Sequence, residues 1–342
     1  MVYGVPVGSP EYVTYKLKEK AKEIISDAEK ARQVLSQDRQ ALWSALRLSI
    51  QQRFEYLMKL VAPSLCKPVA KELDAALWKV LEAACGFQVP RGEGGLVLRL
   101  QAVHSLSSRS FQEWVVRQPV RLYGWGLRSL EDLCGPAYIG TLETALPFMA
   151  GRGIQLCPQL AEVWGGPECW GDEEDEKRRW RRVLESGCRE GVELRQEWGW
   201  LRLEAMQCSG YLREEVPEVF QVIDQGVGEG SVSGATRTRV VEAREDLRTK
   251  VLAKLLQEPQ YRHTRAALSW PQRDKISSAW LLAIPAPDTA LSNAEFGEAG
   301  AASLCLPSPG AAGMVGEPIR GRKVVDVYGD EPIKEQFCRS LL

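Results

Sequence analysis

A chain of 342 residues, 44% of them hydrophobic, is long enough to bury one or two cores. Its 44 basic and 45 acidic side chains leave a formal net charge of -1, which excludes the uniformly basic surface of a free-standing nucleic-acid binder; any such contact has to come from a local patch or from other parts of a longer protein. No uncharged apolar run approaches the length of a membrane span, and the N-terminus has no positive stretch leading into an apolar run, so an intracellular chain, cytoplasmic or nuclear, is expected.

The opening ninety residues read as three amphipathic helices. Ser9 and Pro10 make a cap and first-turn pair, after which Leu17, Ala21, Ile24, Ala28, Ala31 and Leu35 recur four and three apart. A break at 36–38 precedes a second stripe, Leu42, Leu46, Ile50, Phe54, Leu57 and Val61, which Ala62 and Pro63 close. A third helix opens at Ser64, with Val69, Leu73, Leu77, Val80 and Ala84 inward, and stops at Gly86. Segment 96–100 suits either a short strand or a helix start. Gly124 and Gly126 make a turn, and a helix begins near Ser129. Beyond the Gly/Pro-rich stretch 151–171, an acid-then-base run at 172–182 has the charge order of a helix, and another helix, about 190–206, carries Trp198 and Trp200. Gly226–Gly234 reads as a linker. Helices are expected at about 237–257, 271–283 and 293–304, and a short β-like run at 323–328.

The expected fold is therefore mainly α: a helical bundle over 1–90, a turn-helix and second, irregular helical region over 91–225, a linker at 226–236, a C-terminal helical region over 237–306 and an irregular tail at 307–342.

Nine widely scattered cysteines include no Cys-x-x-Cys pair, and the odd count argues against a complete disulfide framework; reduced thiols lying mostly in cores are expected. His104 and His263, far apart, read as ordinary polar positions rather than metal ligands or catalytic bases, and no phosphate-binding loop or nucleophile elbow is present. No cofactor and no small-molecule substrate is expected. Two basic surfaces are candidates for phosphate contact. One is Lys16, Lys18, Lys20 and Lys22 on the first helix, with Arg47 and Arg53 on the second. The other is Lys177, Arg178, Arg179, Arg181 and Arg182 around Trp180, where the preceding acids favour a salt-paired, solvated helix.

Four segments, in order, carry a family resemblance. Gly4-Val-Pro-Val-Gly-Ser is followed by a Lys/Glu-rich helix. The helix 40–56 contains Leu-Arg-Leu-Ser-Ile-Gln-Gln-Arg-Phe-Glu-Tyr. A glycine turn, Gly124-Trp-Gly-Leu-Arg-Ser, leads into Ala137-Tyr-Ile-Gly, and Ser278–Phe296 includes Leu-Ser-Asn-Ala-Glu-Phe. Together they resemble the thumb and post-polymerase region of reverse transcriptases of non-LTR, LINE-type retrotransposons, with Trp125 standing where the family usually has glycine. The resemblance implies helices that support template-primer RNA/DNA binding. It also implies no polymerase activity for this chain, because the palm with its Tyr-x-Asp-Asp is absent; Tyr328-Gly-Asp-Glu331 reads as a turn. The family's late zinc-like cluster is matched only at Asp326, Gly329 and Asp330, with Glu331 in the histidine's place, so no metal site is implied. The alternative is a helical scaffold or protein-interaction module with no nucleic-acid role.

Overall fold

A computed structural model describes residues 5–89, 91, 110–122, 124–151, 189–220, 235–258, 290–310, 315, 318–319 and 323–324. Helix accounts for 77% of the described residues, so the protein is mainly α. The helices are α1 (Pro10–Val34), α2 (Arg39–Ala45), α3 (Glu55–Leu60), α4 (Pro63–Cys85), α5 (Phe111–Arg117), α6 (Leu130–Gly151), α7 (Arg189–Leu212), α8 (Ala235–Leu255) and α9 (Asn293–Ser303). The described strands are one antiparallel pair of two residues each, β1 (Pro318–Ile319) and β2 (Lys323–Val324). The expected elements at 96–100, 172–182 and 271–283 and the linker at 226–234 lie outside the described residues.

In α1 the Ser9 hydroxyl accepts from the Tyr12 N–H at 3.3 Å and Pro10 takes a first-turn position. The buried face runs Val13, Leu17, Ala21, Ile24, Ala28. The third helix starts one residue earlier than its sequence suggests. Pro63 takes the first turn because its fixed φ suits that position, and Ala62 before it is held extended. Gly86 closes α4 with φ 78°, its N–H donating to the Glu82 carbonyl at 2.9 Å.

The second stripe is more instructive. Leu42, Leu46, Ile50 and Phe54 recur at four-residue intervals, which on an ideal helix would drift by about 40° per step. All four are nonetheless buried. Between α2 and α3 the chain winds as a π-turn over Leu46–Ile50, with the Gln51 N–H reaching back to the Leu46 carbonyl, and then as a 3-10 turn over Gln51–Phe54. The wider π winding absorbs the drift and keeps the large side chains on one face.

Packing is layered around α4 and α6. Helix α1 lies on α4, α4 and α3 lie on α6, and α8 bridges α6 and α7, while α9 closes over α2 and α4. Glycine shapes one joint decisively. The Gly124, Trp125, Gly126 and Leu127 N–H groups donate to the carbonyls of Pro119, Val115, Gln118 and Val116 at 2.7–3.1 Å, satisfying the acceptors left open at the end of α5. A Cβ at position 124 would fall on the Gln118 carbonyl, and Gly126 has φ 79°. Gly124→Ala is therefore expected to cost about 2–4 kcal/mol, above the usual cost of a point change. Urea denaturation checks this; a loss under about 0.5 kcal/mol would mean the turn relaxes freely.

Candidate nucleic-acid interface and the buried charge clasp

Three of the four lysines proposed on α1, and Arg53 beside them, stand against carboxylates of the same surface. Lys16 lies 2.7 Å from Glu19, Lys20 2.7 Å from Glu23 and Lys18 3.9 Å from Glu72, while Arg53 pairs with Asp27 and lies 3.6 Å from Glu23. Lys22 is exposed and makes no ion pair among the described residues. The i,i+3 pairs follow from the alternation of Lys and Glu, which puts opposite charges one turn apart. Such exposed pairs are worth about 0–1 kcal/mol each, so a phosphate can displace them, but they cut the field the helix presents.

Arg47 differs. It sits in the π-turn, half-buried, with its side chain beside the Gly126 turn and an Nε that finds no partner. Burial pulls its guanidinium below the ordinary arginine value. The structure thus brings Arg47 to the glycine turn rather than to the α1 lysines. Lys177, Arg178, Arg179, Trp180, Arg181 and Arg182 lie outside the described residues.

The strongest electrostatics lie elsewhere, in two clasps that sequence reasoning missed. In the first, buried Asp74 of α4 meets the start of α6. Its carboxylate accepts from the Ser129 hydroxyl at 3.0 Å and from the Leu130 and Glu131 N–H groups at 3.1 and 3.3 Å. Arg117 lies 3.6 Å away and donates to Glu113 at 3.0 Å. Burial pushes the Asp74 carboxyl up, against the opposing pull of Arg117 and the helix N–H groups. In the second, Glu204 of α7 takes Arg244 at 2.7 Å and Arg248 at 2.5 Å, both from α8, and Asp132 of α6 lies 3.1 Å from Arg248. Burial alone would raise the Glu204 carboxyl, but the two guanidiniums outweigh it and hold it at about 2.

The second clasp had a signal in the sequence. Glu204 stands among Leu201, Ala205 and Cys208 on the inward face of α7, and Arg248 adjoins Leu247 on α8, where an ionisable residue has to find a partner. The partner's identity was not readable, since it comes from another helix. With these carboxylates committed to arginines, the clasps join helices; no group of three or more His, Cys, Asp or Glu residues arranged to hold a metal occurs among the described residues. The described cysteines, Cys66, Cys85, Cys134, Cys208 and Cys305, form no disulfide with one another, and all but Cys305 are buried. Burial pushes the Cys208 thiol up to about 12, which makes it inert. No described helix is long and apolar enough to cross a membrane.

Three of the four motif-bearing segments meet at one point. Trp125 of the glycine turn stacks edge-on against Trp43 at 5.4 Å and Phe296 at 6.5 Å. Its indole N–H donates to the Ser303 hydroxyl at 3.0 Å. Nearby, the Arg39 N–H donates to Asn293 Oδ1 at 2.9 Å and the Leu291 N–H to Gln40 Oε1 at 2.8 Å. Val13 and Leu17, which follow the first segment, belong to the same core. Compared with known protein families, with curated proteins and with solved structures, the chain finds no match.

Proposed function

We propose that this chain is a non-catalytic helical module descended from a non-LTR retroelement reverse transcriptase, and that it supports template-primer RNA/DNA binding through the outer face of α1 and the adjoining π-turn. The observation that carries the reading is the convergence just described. Segments separated by 80 and 170 residues in sequence, selected for their resemblance alone, supply Trp43, Trp125 and Phe296 to one aromatic cluster. The half-buried Arg47 beside the Gly126 turn adds a cation held at the joint of two of those segments.

The supporting mechanism is electrostatic. Displacing Glu19 and Glu23 from Lys16 and Lys20 costs little, and each phosphate engaged releases counterions, so affinity falls with salt by a log–log slope of about -0.9 per contact. Titration of a labelled RNA/DNA template-primer by fluorescence anisotropy at about 50 and 200 mM salt tests this. Steep salt dependence that flattens when Lys16, Lys18, Lys20 and Lys22 are replaced by glutamine is the expected result. Absence of binding at the lower salt, or a slope indifferent to those four changes, rejects it.

A further inference from the structure

Helix α7 has two faces. Leu194, Trp198, Leu201, Ala205 and Cys208 are buried against the core. On the opposite side Val192, Trp200, Leu203 and Met206 fall within an arc of about 120° at 100° per residue. They are exposed to 37%, 65%, 45% and 50% respectively. Gly199 and Gly210 lie on this outer face, and a Cβ at either would meet nothing within 4 Å. Gln196 separates Val192 from the rest, so Trp200, Leu203 and Met206 with Gly199 and Gly210 form an apolar ridge with flat places, about 16 Å of helix or three turns. Apolar residues scattered singly over a surface are ordinary; such a group is not.

The ridge borders a cleft of about 780 Å³ between α7 and α4, lined by Trp200, Leu203 and Gln207 on one side and by Lys67, Lys71 and Arg91 on the other. The carboxylates in its floor are largely committed. Asp74 and Glu113 face Arg117, Glu197 takes Lys67 at 2.5 Å, and Glu204 takes Arg244. Lys71 is exposed, and Arg91 lies 4.8 Å over the Trp78 ring. Glu131 is the acid of that wall with no ion pair among the described residues. Arg195 and Arg202 border the other edge of the ridge at their helical positions. Lys71 and Arg91 therefore border the apolar stripe on its cleft side.

We infer that the α7 ridge and the α4–α7 cleft form a docking groove for an acidic amphipathic helix of a partner protein. Its apolar side lies on Trp200, Leu203 and Met206, the two glycines let its backbone approach, and its carboxylates reach Lys71 and Arg91. Trp and Met suit the purpose, the first as a rigid anchor and the second as an adaptable filler. A second copy of α7 fits less well, because it would bring arginines against arginines. This inference does not depend on the proposed nucleic-acid role, which uses the α1 face.

The test uses the full chain and three labelled probes. One is a peptide of about 18 residues with Leu and Ala on one face and Glu on the other, long enough to form helix. The second has every Glu replaced by Lys, and the third is oligo(dT). Anisotropy titration is expected to show saturable, salt-weakened binding of the acidic peptide alone. Leu203→Glu with Met206→Glu is expected to weaken it at least tenfold, and Lys71→Glu with Arg91→Glu similarly. Leu203, Met206 and Lys71 are on the surface, so unchanged circular-dichroism melting of Leu203→Glu with Met206→Glu, and of Lys71→Glu alone, is the expected control. Equal binding of the lysine peptide, no saturation by the acidic peptide at about 100 µM protein, or indifference to both double variants overturns the inference. Oligo(dT) binding abolished by Lys71→Glu with Arg91→Glu would assign the groove to single-stranded nucleic acid instead, and concentration-dependent dimerisation abolished by Leu203→Glu would assign it to self-association. Either result also overturns it.

Discussion

Replacing Glu204 by glutamine is expected to lower the unfolding free energy at neutral pH by about 3–5 kcal/mol, because it leaves the buried Arg248 and the partly buried Arg244 without their shared carboxylate. The loss reflects breaking the clasp and not its net worth. Substituting Glu204, Arg244 and Arg248 together by apolar residues of similar volume is expected to cost far less, or nothing, since no charge is then buried alone. Urea denaturation of both variants separates the two quantities; a cost below about 1 kcal/mol for glutamine alone would show that water already reaches the clasp.

The same carboxylate has a defined pH signature. Its folded value, about 2, lies below the ordinary 4.5, so the native state binds the proton less readily than the unfolded chain. Its stabilising contribution is complete above pH 4.5 and is lost as the pH falls from there through 2. The difference between wild type and Glu204→Gln should therefore shrink by about 3 kcal/mol over that window. Asp74, whose carboxyl is pushed upward, responds in the opposite sense, but it is common to both proteins and cancels in the difference. A difference that stays constant down to pH 2 sinks this account of the clasp.

Trp125→Ala is expected to cost a comparable 3–5 kcal/mol, the range for removing a fully buried indole and leaving its cavity. Two effects add here. The ring separates Trp43 from Phe296, and Gly300 backs onto it so closely that a Cβ there would sit 3.0 Å from the indole edge. The aromatic cluster thus has little freedom to collapse into the space. Trp125→Phe keeps most of the volume but gives up the bond to Ser303, and a loss of about 1 kcal/mol is expected. Trp125→Gly removes the Cβ as well as the ring, and it should be at least as damaging as alanine. A double-mutant cycle with Trp43→Ala measures the coupling; additive losses would mean the two indoles are independent neighbours and not one core.

How much of this was readable beforehand differs by element. The stripes of α1 and α4, the Ser9 cap, the glycine turn and the helix after Ser129 follow from local chemistry: periodicity selects a buried face, and a hydroxyl or a proline marks a start. Helix α7 was visible too, but its length was underestimated, to Met206 instead of Leu212, because its second apolar stripe is exposed and blurs the period. For the candidate interface, the lysines of α1 were identified from composition, while their pairing with Glu19, Glu23 and Glu72 needed rotamers and a neighbouring helix.

What the chain determined by itself is whatever adjacent residues can negotiate within a turn or two: helix, cap and inward face. The tertiary structure alone decided the π-turn at Leu46–Ile50, the meeting of Trp43, Trp125 and Phe296, and the choice of Arg244 and Arg248 for Glu204. Each depends on groups brought together from distant parts of the chain, where burial removes water and forces every large ring and every charge to find its partner in space.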